Sequence, residues 1–536
     1  MIKQIDLLIN QLKTIVFKYD GNHVTEKISL IHSISKLPFK NEQSLIDYHE
    51  LLIFLAVYPE NKEIKKLVDI EFLRITNFIK SNKKFQEKCA DTSLPFTTIY
   101  TQFSHDLLVW MNEYKQCNID IESFDKAGVD LNKLLRLTLP SLEQDLTTAG
   151  MNNEDLLAAL NVNKNKQLSF LLNEISKLNN TPLVKDYLWE SLLLNLSITS
   201  TDKRFSRAFN RLPNQAVFYQ TEMLKKFDHF ALMQQALPEP KVLNNEATNE
   251  LASIIKKSLV LTRRETDPST FMDTSSLRLY ELERGISIAI FGMNANRQMP
   301  IQSYIGYALF KNGFPVAYGG SWVLGKTAWF GLNIFDAFRG GESGYIMCQL
   351  LRVYKQVFDL DYIEVEPYQY GLGNPDGIKS GAFWFYYRYG FKPVDNEICT
   401  IAENEALKIK NKPGYRTNEK TLLKFTESNI CLKFKATKPE ILTEITSKVR
   451  TMISQEFKGN RGEAIDFCIS KLIGNFAKNT FNENEKPALI EFALITEALK
   501  INNKKHFKLL EKLVRLKATN PYQYNGFLSE FLALSS

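Results

Sequence analysis

A chain of 536 residues is longer than one hydrophobic core ordinarily serves, so roughly two to four domains are expected. Its apolar fraction of 44% and charged fraction of 24% are those of an ordinary globular protein, and it lacks the apolar run of about 18 residues that a membrane-spanning helix needs. Its six cysteines lie far apart with no Cys-x-x-Cys pair, which argues against a disulfide framework or a zinc site and makes the cytoplasm the expected location.

From the N-terminus, Met1–Asp20 reads as an amphipathic helix and lacks the apolar block and small-residue cleavage site of a signal peptide. Helical spacing of Leu and Ile continues through Ser44–Tyr58, Asn61–Phe85, Asn153–Leu178 and Leu183–Ile198. An all-helical domain over 1–245 is therefore expected. Its edge falls where Leu237-Pro238-Glu239-Pro240 and the following asparagines break the periodicity.

Composition then changes. Of the 24 glycines, 14 fall between Gly306 and Phe391, among short β-type runs. Tyr304–Phe310 and Pro315–Tyr318 flank Asn312-Gly313, a pair that supplies the positive φ angles of a tight hairpin, and Ser321–Leu324 continues the second strand. Ala328–Phe335 is a third expected strand and Gly341–Phe358 a helix. Tyr362–Glu366, a helix over Ile378–Tyr389, and a last strand at Phe391–Val394 follow.

Helical runs return at Thr443–Phe457, Glu463–Ala477, Pro487–Leu499 and Lys505–Leu516. Residues 432–536 hold 17 Lys and Arg against 11 Asp and Glu, so nearly the whole net charge of +7 sits in this tail. Lys505, Lys508, Lys512 and Arg515 share a helix face. It reads either as a solvated basic surface or as a docking surface for an acidic partner such as an acyl carrier protein or tRNA.

Chemistry concentrates in Gly331-Leu332-Asn333-Ile334-Phe335-Asp336-Ala337-Phe338-Arg339-Gly340-Gly341-Glu342-Ser343-Gly344, a strand entering a Gly-rich turn that opens a helix. Free amides at a helix start, backed by its dipole, bind phosphate oxygens, and Arg339 adds a full charge. Downstream, Ser380-Gly381-Ala382-Phe383-Trp384-Phe385-Tyr386-Tyr387-Arg388-Tyr389-Gly390-Phe391 ends a helix at glycine and leads into a strand. Together the two segments resemble the GNAT superfamily of acyl-CoA N-acyltransferases, over about a fifth of the chain.

The resemblance implies an α+β fold: a GNAT-like mixed sheet with packed helices over 246–431 (core 300–395), between the all-α N-terminal domain and a small helical bundle at 432–536. It implies an N-acyltransferase using acyl-CoA or acetyl-CoA as co-substrate, with no tightly bound cofactor or metal. The pyrophosphate would lie on Arg339, Gly340, Gly341, Ser343 and Gly344. The pantetheine arm would enter between Leu332, Asn333, Ile334 and Phe335 on one side and Ile363–Glu366 on the other. Tyr386 matches the family's thiolate acid, and Asn374 lies near the position of its asparagine. Glu366 is the candidate base, because Tyr362, Glu364 and Glu366 share one strand face and it is nearest the cleft. Glu342 departs from the family glycine and would repel pyrophosphate unless its side chain turned outward. A non-catalytic acyl-thioester or partner-binding module and an aminoacyl-tRNA-dependent transferase are therefore alternatives. Gly320-Ser321-Trp322-Val323-Leu324-Gly325-Lys326-Thr327 also spells a P-loop, but its bulky residues and strand-like sequel suit a nucleotide loop poorly.

Overall fold

The computed structural model of the chain describes residues 2–114, 116–125, 130–178, 181–436, 442–478 and 480–535. It is mixed α and β, built on two sheets. In the smaller one, β1 (Thr98–Thr101), β2 (Cys117–Phe124) and β3 (Leu194–Ser200) pair antiparallel in the order β1-β3-β2. Residues 1–245 are thus not all-helical. The expected helix Leu183–Ile198 is a helix over Pro182–Glu190 followed by β3. Leu194, Leu196 and Ile198 are buried at every second position, a strand period that the leucine density hides within a helical one.

The larger sheet comprises β4 (Arg278–Glu281), β5 (Ile286–Phe291), β6 (Ser303–Lys311), β7 (Phe314–Leu324), β8 (Thr327–Phe330), β9 (Asn333–Ile334), β10 (Tyr362–Val365), β11 (Lys392–Pro393) and β12 (Ile430–Lys433). Its order is β11-β12-β10-β8-β7-β6-β5-β4, with β9 on β7. It reaches beyond residues 300–395 at both ends, and β12 crosses the expected boundary at 431/432. β5 and β6 are mostly apolar because both faces are covered. Ile288, Ile290, Ile305, Tyr307 and Leu309 enter one core, while Ala289, Phe291, Ala308 and Phe310 enter another against the Asn245–Val260 helix.

The first of these cores also holds Ile5 to Leu94, so the N-terminal helices and the sheet bury their apolar faces together. Each of two long N-terminal helices begins on an asparagine cap. Asn41 Oδ1 accepts from Ser44 N at 2.8 Å and Asn61 Oδ1 from Ile64 N at 2.8 Å. The β6–β7 hairpin turns on Asn312 (φ 49°) and Gly313 (φ 82°). Asn312 also donates to Val57 O at 2.9 Å and Phe218 O at 3.0 Å, and accepts from Phe218 N at 2.8 Å. The turn thereby fastens the sheet to the Glu42–Val57 helix.

Residues 97–205 keep a separate core around β3 and Trp189. The C-terminal helices form a bundle that takes in Ile301 and Leu324 from the sheet region. Tyr522 Oη donates to Ser276 O at 2.6 Å, and Asn525 Nδ2 to Gly325 O at 2.8 Å. The four basic residues expected on one face of the Lys504–Lys517 helix are not equivalent: Lys505 and Lys508 are exposed, Lys512 lies over the Phe527 ring, and Arg515 pairs with Glu485 at 3.2 Å. Among the described residues, no helix is long and apolar enough to cross a membrane.

Candidate functional site

β8 and β10 run parallel, paired at Thr327–Tyr362, Ala328–Ile363 and Trp329–Glu364, and the pairing stops there. The expected continuous strand Ala328–Phe335 is broken. Gly331 and Leu332 are unpaired, and β9 continues along β7 in the same register as β8: Phe330 pairs with Ser321, then Asn333 and Ile334 with Tyr318 and Ala317, so that Gly331 and Leu332 stand opposite Gly320 and Gly319. Beyond Trp329 the ladder between β8 and β10 ends, so Phe330–Leu332 on one side and Val365–Glu366 on the other are not paired with each other and edge a gap. Tyr307 Oη donates to Gly331 O at 2.8 Å and holds the unpaired segment in place.

At the mouth of this gap lies a cavity of about 130 Å³ that brings Asn333 and Glu366 together with Gly331, Gln369, Tyr304 and Trp329. Glu366 is exposed and makes no ion pair within the described residues. Glu364 is committed elsewhere, accepting from Tyr362 Oη at 2.7 Å and from Asn429 Nδ2. Trp322 also lines the cavity, and its buried indole N–H has no acceptor among the described residues. Tyr386 does not line the cavity. It is buried in the Ala382–Arg388 helix, its ring edge-on to Phe391 at 5.5 Å and within electrostatic reach of Tyr307 and Tyr370. Burial pushes its phenol well above the ordinary value, so it stays protonated and able to donate. The helix expected over Ile378–Tyr389 is two, Pro375–Ser380 and Ala382–Arg388, divided at Gly381 (φ 68°).

The other half of the site is the turn after β9. Asp336–Phe338 form one tight helical turn, Gly340 takes φ 89°, and the long helix runs over Ser343–Val357. Its first amides, those of Ser343, Gly344 and Tyr345, have no carbonyl within the helix to donate to. Arg339 is exposed and held 2.9 Å from Asp336. Gly341 and Gly344 are buried. A Cβ on Gly341 would stand 2.9 Å from the Tyr58 hydroxyl, and one on Gly344 would collide with the Tyr389 hydroxyl. These glycines admit tyrosines of the protein itself.

Glu342 turns inward rather than outward. Fully buried, it accepts from Arg284 at 2.6 Å, Gln220 Nε2 at 2.7 Å, Leu224 N at 3.0 Å and Lys311 Nζ at 3.1 Å. Burial would raise its carboxyl, but the Lys311 charge, the Leu224 amide and Arg284 outweigh that and hold it below the usual carboxylate range. Burial lowers Lys311 to about 8 despite Glu342. The carboxylate is thus matched inside the protein and does not face the turn's exposed side.

Asn374 stands apart from both halves, capping Gly377 N at 3.3 Å and donating to Tyr368 O at 3.0 Å. The P-loop spelling is strand and hairpin: Gly320 and Ser321 belong to β7, Gly325 turns at φ 57°, and Lys326 pairs with Asp359 at 2.7 Å. Gly320 is small because the Tyr304 ring lies against it, and a Cβ on Gly319 would come 2.7 Å from the Tyr307 hydroxyl. Sequence reasoning missed Tyr304, Gln369 and the cavity role of Gly319 and Gly320. The adjacent glycines before Trp322 were the available signal. Comparison with protein-family models, curated proteins and solved structures found no match for this chain.

Proposed function

We propose that the chain is a GNAT-like N-acyltransferase that moves an acyl group from CoA, or from pantetheine on a carrier, to an amine. The observation that carries this reading is the early end of the β8–β10 ladder at Trp329–Glu364, with a cavity at that point and a helix start after β9. An extended pantetheine arm can pair with the freed strand edge, and the anionic end of the donor would meet Arg339 and the first amides of the Ser343–Val357 helix. The amine attacks the thioester carbonyl, an amide of the unpaired Gly331–Leu332 segment receives the oxyanion, Glu366 takes the amine proton, and Tyr386 protonates the leaving thiolate. The inward placement of Glu342 removes the repulsion that its sequence position suggested.

Calorimetric titration with CoA, acetyl-CoA and a long-chain acyl-CoA tests the donor site. Binding should weaken about tenfold or more in Arg339→Ala, and turnover should fall about 100-fold or more in Tyr386→Phe with donor affinity unchanged. Absence of binding to every donor would sink the reading. A second reading, a non-catalytic partner-binding module, is favoured by Tyr58 and Tyr389, which fill the space beside Gly341 and Gly344. Donor binding with turnover indifferent to both Tyr386→Phe and Glu366→Gln would select it.

A further inference from the structure

A cleft of about 740 Å³ lies where the region around β3 meets the sheet. That volume is the size of a small-molecule site. It adjoins the candidate transfer cavity in two ways. Thr266 lines both, and Asp267 on the cleft wall acts electrostatically on Tyr304, which lines the smaller cavity. Its lining carries four carboxylates, Asp186, Glu190, Glu265 and Asp267, against one guanidinium, Arg297. Arg297 is already matched, pairing with Asp186 and with Asp106 at 2.6 Å. Lys256 lies behind the wall, donating to Thr270 O at 3.0 Å and facing Asp106 and Glu265. Glu265 is fixed by Ser104 N at 3.0 Å and Thr270 Oγ1 at 2.6 Å. Glu190 and Asp267 make no side-chain hydrogen bond or ion pair with other described residues. In a chain of net charge +7 this is a locally anionic cleft. Phe103, Leu183, Trp189, Phe271, Met293 and Met299 give it apolar walls between the charges.

We infer that this cleft holds the acceptor, and that the acceptor is a small polycationic amine: one nitrogen reaches the transfer cavity while further ammonium groups lie on Glu190 and Asp267 and the methylene segments on the apolar walls. The inference rests on the acyl-transfer reading for the word acceptor, but the cleft's preference for multiple positive charges is independent of it. Carboxylates at fixed spacing reward a second charge, and a monoamine of similar length gains only one contact.

The test is calorimetry on the full chain with spermine and, for comparison, hexylamine, in low salt. Spermine should bind at least about tenfold more tightly than hexylamine, and a Glu190→Gln/Asp267→Asn variant should lose about tenfold or more of the spermine affinity. Both residues lie outside the cores, so circular dichroism should show the variant folded. Equal binding of the two amines, spermine affinity indifferent to the variant, or no spermine binding overturns the inference. Mass spectrometry of the same mixtures with acetyl-CoA and long-chain acyl-CoA separates the two ideas. Acylated spermine supports both. Carboxylate-dependent spermine binding with no acylated product overturns the acceptor assignment and leaves the transfer reading to the donor titration. Transfer to another amine without spermine binding overturns the cleft assignment alone.

Discussion

At the start of the Ser343–Val357 helix, Glu342 is matched by two cations, and removing it would leave Lys311 buried with a charge and no counter-charge. Breaking such a pair from one side costs about 3–5 kcal/mol, whereas removing both partners costs far less. Glu342→Gln should therefore lower the unfolding free energy by about that amount at pH 7, and Glu342→Gln/Lys311→Met should recover much of it, as read by urea denaturation. The pH dependence has a fixed sign. Glu342 is held below its unfolded value, so its contribution is present above the ordinary carboxylate range and is lost as pH falls through the folded value. Lys311 is lowered to about 8 in the fold from 10.5, so the fold holds fewer protons between those values and stability gains with pH across that window. A Glu342→Gln protein whose stability does not rise between pH 8 and 10.5 relative to Glu342→Gln/Lys311→Met would contradict this account.

Among the elements, the β6–β7 hairpin carries the clearest local instruction and the longest reach. Asn312→Ala places a Cβ without a polar group at φ 49° and removes three hydrogen bonds, a loss of about 2–4 kcal/mol. Asn312→Gly relieves the backbone alone, so it should lose less, and thermal melts of the two variants separate turn strain from the lost clamp. This hairpin was legible because Asn-Gly is a local signal, and the Ser343–Val357 helix because its apolar face repeats at three and four. β8–β9 was read as one strand because both halves lie along β7 in one register, and nothing local marks the loss of pairing at Gly331 and Leu332. β3 was read as helix because its alternation lies inside a leucine-rich run. At the candidate site, Asn333 and Glu366 were placed at one cleft by strand order. The surroundings of Glu342 were invisible, since Gln220 lies 122 residues away and no spacing rule connects them.

For the whole molecule, the decisive feature is that Ile5 to Leu94 and the nine-stranded sheet bury one common core. Two buried ion pairs, Lys27 with Glu60 and Lys311 with Glu342, lie near that junction, and the carboxylates of both act electrostatically on Tyr19. A chain beginning at residue 97 should consequently lose the cooperative unfolding of the sheet and become protease-sensitive throughout 278–433, as limited proteolysis with mass spectrometry would show. A protected sheet in that truncation would mean the two layers are separable. The shared core also has a consequence during synthesis. The carbonyl of Val57 waits for Asn312, 255 residues later, and at about 5–20 residues per second that is roughly ten seconds to a minute of ribosome time. Throughout it the first helices emerge with their apolar faces bare, so the nascent chain is an obvious client for a chaperone that holds rather than folds.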